Sequence, residues 1–224
     1  SYYDDVAATF TNFAMSGIDK VHFGLEAAVS IPIYHTLALN GAVSWGQYTY
    51  DSNPYYLQTQ DNSGDIVSDG YVYWKDFRVE STPQTAVNVG LSWRSNNNIY
   101  LSADFNYYNN MYLSMSPIYR TDAVITGGMA PGDIEHLRRQ EKFDSAYTLN
   151  ASIGKNWYIH RKYTLGFSLD VKNILNNQDI KTGGYEQTRL PKNTETTVTT
   201  YQAFDSKYFY MFGTTYYLNL YFRF

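Results

Sequence analysis

Strict alternation of apolar and polar residues is the strongest signal in this chain, and it is cleanest at the end. Phe212, Thr214, Tyr216, Leu218, Leu220, Phe222 and Phe224 take one set of positions; Gly213, Thr215, Tyr217, Asn219, Tyr221 and Arg223 take the other. Successive side chains of an extended strand point to opposite faces, so Phe212 to Phe224 predicts a strand with one apolar and one polar face. The same period recurs in Val21 to Ile31, Leu37 to Trp45, Thr85 to Trp93, Ile99 to Tyr107, Tyr147 to Ile153 and Tyr163 to Val171. Val6 to Met15 predicts a further, less regular strand, and Pro32 should end the Val21 segment because it cannot donate to a ladder.

The connections alternate in length. Pro32–His35, Arg94–Asn98 and Ile159–Lys162 are short, whereas Asp51–Thr82, about Ser116–Lys142 and Asn176–Phe209 are long. Asn53-Pro54, Ser63-Gly64 and Asp69-Gly70 are turn signals within the first long stretch, and Asp133 is expected to cap a short helix in the second. In an antiparallel meander all the short turns then fall at one end and all the long ones at the other, as in outer-membrane barrels with short periplasmic turns and long outside loops.

Charge sharpens this picture. A Lys or Arg facing a bilayer midplane costs about 2–4 kcal/mol, and Glu26, Asp104, Asp170, Lys172 and Arg223 all occupy the polar register. The expectation is that no charge falls on the apolar face. Trp45, Trp93, Tyr107, Trp157 and Tyr163 stand near strand ends, where amphipathic rings form interfacial girdles.

Composition fits. Aromatics are 18% of the 224 residues and 24 of them are Tyr, a side chain with an apolar body and a polar tip. No run approaches the ~18 apolar residues of a spanning helix, but a barrel exposes only alternate residues to lipid, so a mean hydropathy of −0.43 is compatible with one. With no cysteine, disulfide frameworks and thiolate metal sites drop out, and a net charge of −4 offers no field for nucleic acid. The opening Ser-Tyr-Tyr-Asp-Asp is not a leader peptide; an exported chain has lost its leader, or this chain is a piece of something longer.

A terminal strand of alternating aromatics ending in Phe resembles that of bacterial outer-membrane barrels, where Leu218, Leu220, Phe222 and Phe224 would form the assembly signal. Gly17–Ser30 and Leu37–Tyr48 are similar to late barrel hairpins of TonB-dependent receptors, and Phe167–Asn177, with Tyr185 downstream, is similar to their penultimate strand. The Tyr- and Asn-rich loops resemble the SusC/RagA-like branch of Bacteroidetes. The resemblance implies an all-β fold in which residues 1–224 form the C-terminal portion of an antiparallel transmembrane β-barrel, about eight of about 22 strands, with no plug domain in this chain. It further implies import of oligosaccharides or peptides across the outer membrane. The partners would be the bilayer, the remaining barrel and plug segments, TonB acting through the plug, and a SusD-type surface lipoprotein as lid. The alternative is a small closed eight-stranded barrel serving as anchor or adhesin, which the mostly small inward residues would underfill.

Candidate chemistry is sparse. His22, His35, His136 and His160 have no metal-ligand spacing. Asp61, Ser63 and Asp65 copy the start of a calcium loop, but Ile66 replaces its Gly and Val72 its bidentate Glu. Asp104, Asp170, Lys172 and Arg223 read as lumen ladders or plug contacts rather than an acid–base set. No serine sits in a nucleophile elbow, so neither an enzyme nor a cofactor or metal site is expected. Tyr55, Tyr56, Tyr71, Tyr73 and Trp74 remain as loop aromatics able to stack on a sugar, to clamp a lidding partner, or to pack on one another.

Overall fold

Alternating β-branched and aromatic positions favour pleated, half-covered surfaces, and strands account for most of this chain. The computed structural model describes residues 2–4, 8–127, 129–160, 162–189 and 202–224. The first strands are β1 (Tyr2–Asp4), β2 (Thr9–Ser16), β3 (Lys20–Tyr34), β4 (Leu37–Tyr50), β5 (Tyr55–Gln60) and β6 (Ile66–Tyr71). After β7 (Thr85–Arg94) and β8 (Ile99–Asn109) come a 3₁₀ turn (Pro117–Arg120), α1 (Asp122–Thr126) and α2 (Pro131–Arg138). The chain closes with β9 (Ala146–Ile159), β10 (Tyr163–Lys172), β11 (Lys181–Arg189), β12 (Gln202–Tyr210) and β13 (Thr215–Arg223).

The seven regular segments form one antiparallel sheet in the order β13-β10-β9-β8-β7-β4-β3, a meander interrupted only by its long connections. The register places every apolar run on one face. One row of cross-strand partners reads Ile31, Leu39, Leu91, Ala103, Ala151, Val171 and Tyr216. This row starts near the short-turn end of β3 and finishes at the long-connection end of β13, so the sheet is sheared.

Three strand limits and one helix start differ from the sequence reading, each for a local reason. Pro32 does not end β3; it pairs with Ala38 beside a register shift before Tyr34, an irregularity of the ladder at which a missing donor is tolerated. Strand β13 begins at Thr215 rather than Phe212, because Thr214 is held outside it: its N–H donates to Asn176 Oδ1 at 3.1 Å and its hydroxyl to the Asn173 carbonyl at 2.9 Å. Helix α2 starts on Pro131 with Ala130 as N-cap, so Asp133 is not the cap but an acid in the first turn, where it meets the positive helix end. Strand β9 continues through Gly154 to Ile159, carrying the ladder past its last expected residue.

The described parts of the long connections are folded. Strand β2, the expected extra barrel strand, pairs instead with β1 and β5 in a separate four-stranded sheet ordered β1-β2-β5-β6; Val6 and Ala7 lie outside the described residues. Strands β11 and β12 form a hairpin. Two hydrophobic clusters hold these connections to the strand ends. Tyr50, Tyr56, Val72, Trp74 and Met115 make one, and Met111, Leu113, Phe143, Ala146 and Ile180 the other.

Candidate functional site

The large sheet has an apolar face that nothing among the described residues covers. Leu25, Val89, Leu101, Leu165 and Leu220 remain between 41% and 71% exposed, although Val89 and Leu101 lie on interior strands. Soluble chains rarely bare a contiguous apolar surface of this kind. Both cores lie instead in the connections.

Aromatic rings bound this face at both ends. At the long-connection end Phe23 meets Trp45 edge-on at 6.2 Å, and Phe105 stacks with Tyr147 at 6.1 Å. At the short-turn end Trp157 lies 5.9 Å from Phe167, and Tyr163 stacks on Phe222 at 5.8 Å. Aliphatic side chains fill the middle. From Leu37 to Trp45 is eight residue steps, about 27 Å of strand at about 3.4 Å per residue. Tilted by about 35–45°, as barrel strands are, that spans about 19–22 Å, a little less than an apolar band about 25 Å tall.

One charge breaks the expected rule. Lys155 lies on the apolar face, paired across to Ile99 on β8 and Phe167 on β10. It stands near the short turns, with Nζ 5.2 Å from the centre of the Trp157 ring. A long aliphatic stem lets such a cation lie on apolar surface while its head reaches water.

The opposite face is polar and internally bonded. Ser30 Oγ donates to Asn40 Oδ1 at 2.8 Å, Asn40 Nδ2 to Ser92 Oγ at 3.2 Å, and Ser102 and Ser152 share a 2.8 Å bond. Asn88 Nδ2 donates to Asn106 Oδ1 at 2.8 Å, extending these ladders. Tyr100 and Tyr221 lie across glycines of the neighbouring strands: a Cβ on Gly154 would run into the Tyr100 ring, and one on Gly166 into the Tyr221 ring. The Tyr221 hydroxyl reaches Asn156. Of the charged candidates, Asp104 faces Gly90 and Asn150, Asp170 faces Ser152 and Tyr217, Lys172 faces Thr215, and Arg223 faces Thr164. They are spread across the sheet and form no ion pair with one another.

Strand β13 bonds to β10 along one edge, and among the described residues its other edge is unpaired. Leu218, Leu220, Phe222 and Phe224 all project from the apolar face; Phe224 is 96% exposed.

The loop aromatics divide. Tyr56 and Trp74, at 1% and 8% exposure, are core residues. Tyr55, Tyr71 and Tyr73 are exposed. Tyr55 and Tyr71 pair edge-on at 5.8 Å across β5 and β6, and the Tyr55 hydroxyl donates to Asp69. That hydrogen bond, ahead of any desolvation, raises the Tyr55 pKa; for Tyr56 burial is the main cause of the rise. The calcium-like Asp61, Ser63 and Asp65 form the tip of the β5–β6 hairpin, where Asp61 accepts from Asn12 at 2.7 Å and Ser63 Oγ donates to Asp65 at 2.8 Å. Among the described residues no three potential metal ligands converge.

Sequence reasoning missed Arg120. It is 2% exposed, forms a bidentate pair with Glu186, donates from Nε to the Leu137 carbonyl at 2.9 Å, and lies over the Phe77 ring. A lone Arg in a polar stretch gives no periodic signal; only the folded connections bring its partners together. Compared with known proteins, the chain matches no family model, no curated protein and no solved structure.

Proposed function

We propose that this chain is the C-terminal wall of an outer-membrane β-barrel, part of a TonB-dependent importer of oligosaccharides or peptides of the SusC/RagA-like kind. The observation that carries the membrane reading is the sheet's uncovered, aromatic-bounded apolar face opposite a hydrogen-bonded polar face. Lipid satisfies such a face without a second protein layer, and a barrel leaves no backbone edge unpaired in the bilayer. The sheared register supports it further, because closing a sheet into a barrel requires strand tilt and stagger.

The importer reading rests on the sequence resemblance together with strand number. Seven meandering strands give a sheet whose first and last members run in the same direction, so direct closure would make a parallel seam, whereas single-chain bacterial barrels have even strand numbers. The wall is therefore completed by strands from elsewhere in the polypeptide, with a plug on the polar face and TonB acting through that plug. This disfavours the small eight-stranded anchor or adhesin, whose extra strand β2 is committed to another sheet. The connections carrying Tyr55, Tyr71 and Tyr73 face outside, where a SusD-type lipoprotein and the nutrient are met. The chain acts in transport, not catalysis.

Expressing the full-length protein and separating inner from outer membranes tests this. The account requires outer-membrane recovery and folded-band migration that shifts on boiling. Recovery in the soluble fraction as a folded species would refute it.

A further inference from the structure

The large sheet has cations but no acidic side chain at its short-turn end. No Asp or Glu occurs in 27–50, 81–103, 145–169 or 206–224, although the chain has 21 of them. The acids of the sheet itself, Glu26, Asp104 and Asp170, stand on its polar face farther from these turns. Arg94, Lys155, Lys162 and Arg223 occupy the short-turn rim, and none has a carboxylate partner among the described residues. Three of them rest on rings: Lys155 over Trp157 at 5.2 Å, Lys162 over Tyr163 at 5.3 Å and Arg223 over Tyr221 at 5.4 Å.

Several like charges gathered without a counter-ion repel one another. At the edge of an apolar band, an aromatic belt marks the depth of lipid headgroups, and a Lys lying on that band extends its ammonium toward the same depth. The complementary group at that depth is a phosphodiester. Resting on the membrane reading above, we propose that this rim binds the headgroups of anionic phospholipid in the leaflet at the short turns, with Lys155 and Lys162 as the lipid-facing cations. Arg94 and Arg223, on the polar side of the rim, add to the same positive field. The opposite end of the sheet, where most carboxylates gather, offers no such surface.

The test is fluorescence quenching of the full-length protein in vesicles, comparing brominated phosphatidylglycerol diluted in plain phosphatidylcholine with the reverse mixture. Subtracting the signal of Trp157→Phe isolates Trp157. Phosphatidylglycerol should be favoured at Trp157 by about five-fold for each cation engaged. The Lys155→Gln/Lys162→Gln double variant should bring that ratio near one. Lys155→Arg should keep it, and so should Lys75→Gln, whose lysine pairs with Asp51 beyond the other end of the sheet. Equal quenching by both lipids in the unaltered protein, or an unchanged preference in the double variant, would overturn the proposal. Absence of quenching by either lipid would remove the membrane reading and this inference with it.

Discussion

Arg120 and Glu186 meet as a bidentate pair, Nη1 to Oε2 and Nη2 to Oε1 at 2.7 Å each, across 66 residues of sequence. Glu186 also accepts the Ser116 N–H at 2.9 Å, so one carboxylate ties the β11–β12 hairpin to the connection between β8 and β9. Removing one partner of a buried pair strands the other charge, at about 3–5 kcal/mol. Glu186→Ala should therefore raise amide exchange around Ser116–Arg120 and along β11 while leaving the large sheet protected. Arg120→Met/Glu186→Leu should recover most of that loss. Unchanged protection in Glu186→Ala would show the pair to be incidental.

The rings of Tyr100 and Tyr221 occupy the space that side chains at Gly154 and Gly166 would need. Gly154→Ala should destabilise the sheet by about 1–3 kcal/mol, the usual cost of overpacking, read as a lower temperature for loss of the folded band. Adding Tyr100→Ser should relieve most of the strain. If the double variant is no better than Gly154→Ala, the ring contact is not the cause.

Seven strands and their shared face were legible in the sequence because a period of two shows directly which residues lie together. What failed to read is tertiary. Tyr55 and Tyr56 are adjacent and chemically identical, yet a strand sends them to opposite faces, and only packing against Phe13 and Trp74 decides that Tyr56 is inside. The Val6–Met15 strand was visible, but its partner was not, since the competing strand β5 lay in a stretch read as loop. Lys155 escaped because the alternation was followed only to Ile153, whereas the β10 ladder holds β9 extended through Lys155 to Ile159.

Alkali should loosen the connections before the sheet. Burial pushes the Tyr2 hydroxyl up to about 12 from 10.0, and burial, then the Glu80 carboxylate that Tyr50 bonds at 2.9 Å, raises Tyr50 well above its ordinary value. A raised folded-state pKa favours the neutral phenol in the fold. For Tyr2 that stabilisation is complete below pH 10 and lost as pH rises toward about 12. The part of the phenolate absorbance that Tyr2→Phe removes should thus appear above the ordinary 10.0, together with tryptic cleavage near the β1-β2-β5-β6 sheet. Cleavage that begins at neutral pH, or ionisation of Tyr2 without it, would contradict this.

Phe224 contributes little to the folded chain, since it is 96% exposed and its ring contact is Phe222 at 6.3 Å. Even complete burial of a Phe in the assembled protein is worth only about 1.5–3 kcal/mol. Deleting it from the full-length protein should lower outer-membrane yield severely and the melting temperature of inserted protein slightly. Normal yield would remove Leu218, Leu220, Phe222 and Phe224 as an assembly signal.

The central claim is that the uncovered face of the sheet lies in lipid and the laddered face in water. Single-cysteine labelling in intact outer membranes tests it most directly, because the chain has no cysteine of its own. Cysteines replacing Leu39, Leu101 and Leu165 should react slowly with a membrane-impermeant maleimide, and those replacing Asn40, Ser102 and Thr164 on the other face should react fast. Equal rates for the two sets, or faster reaction at the leucine positions, would contradict the account.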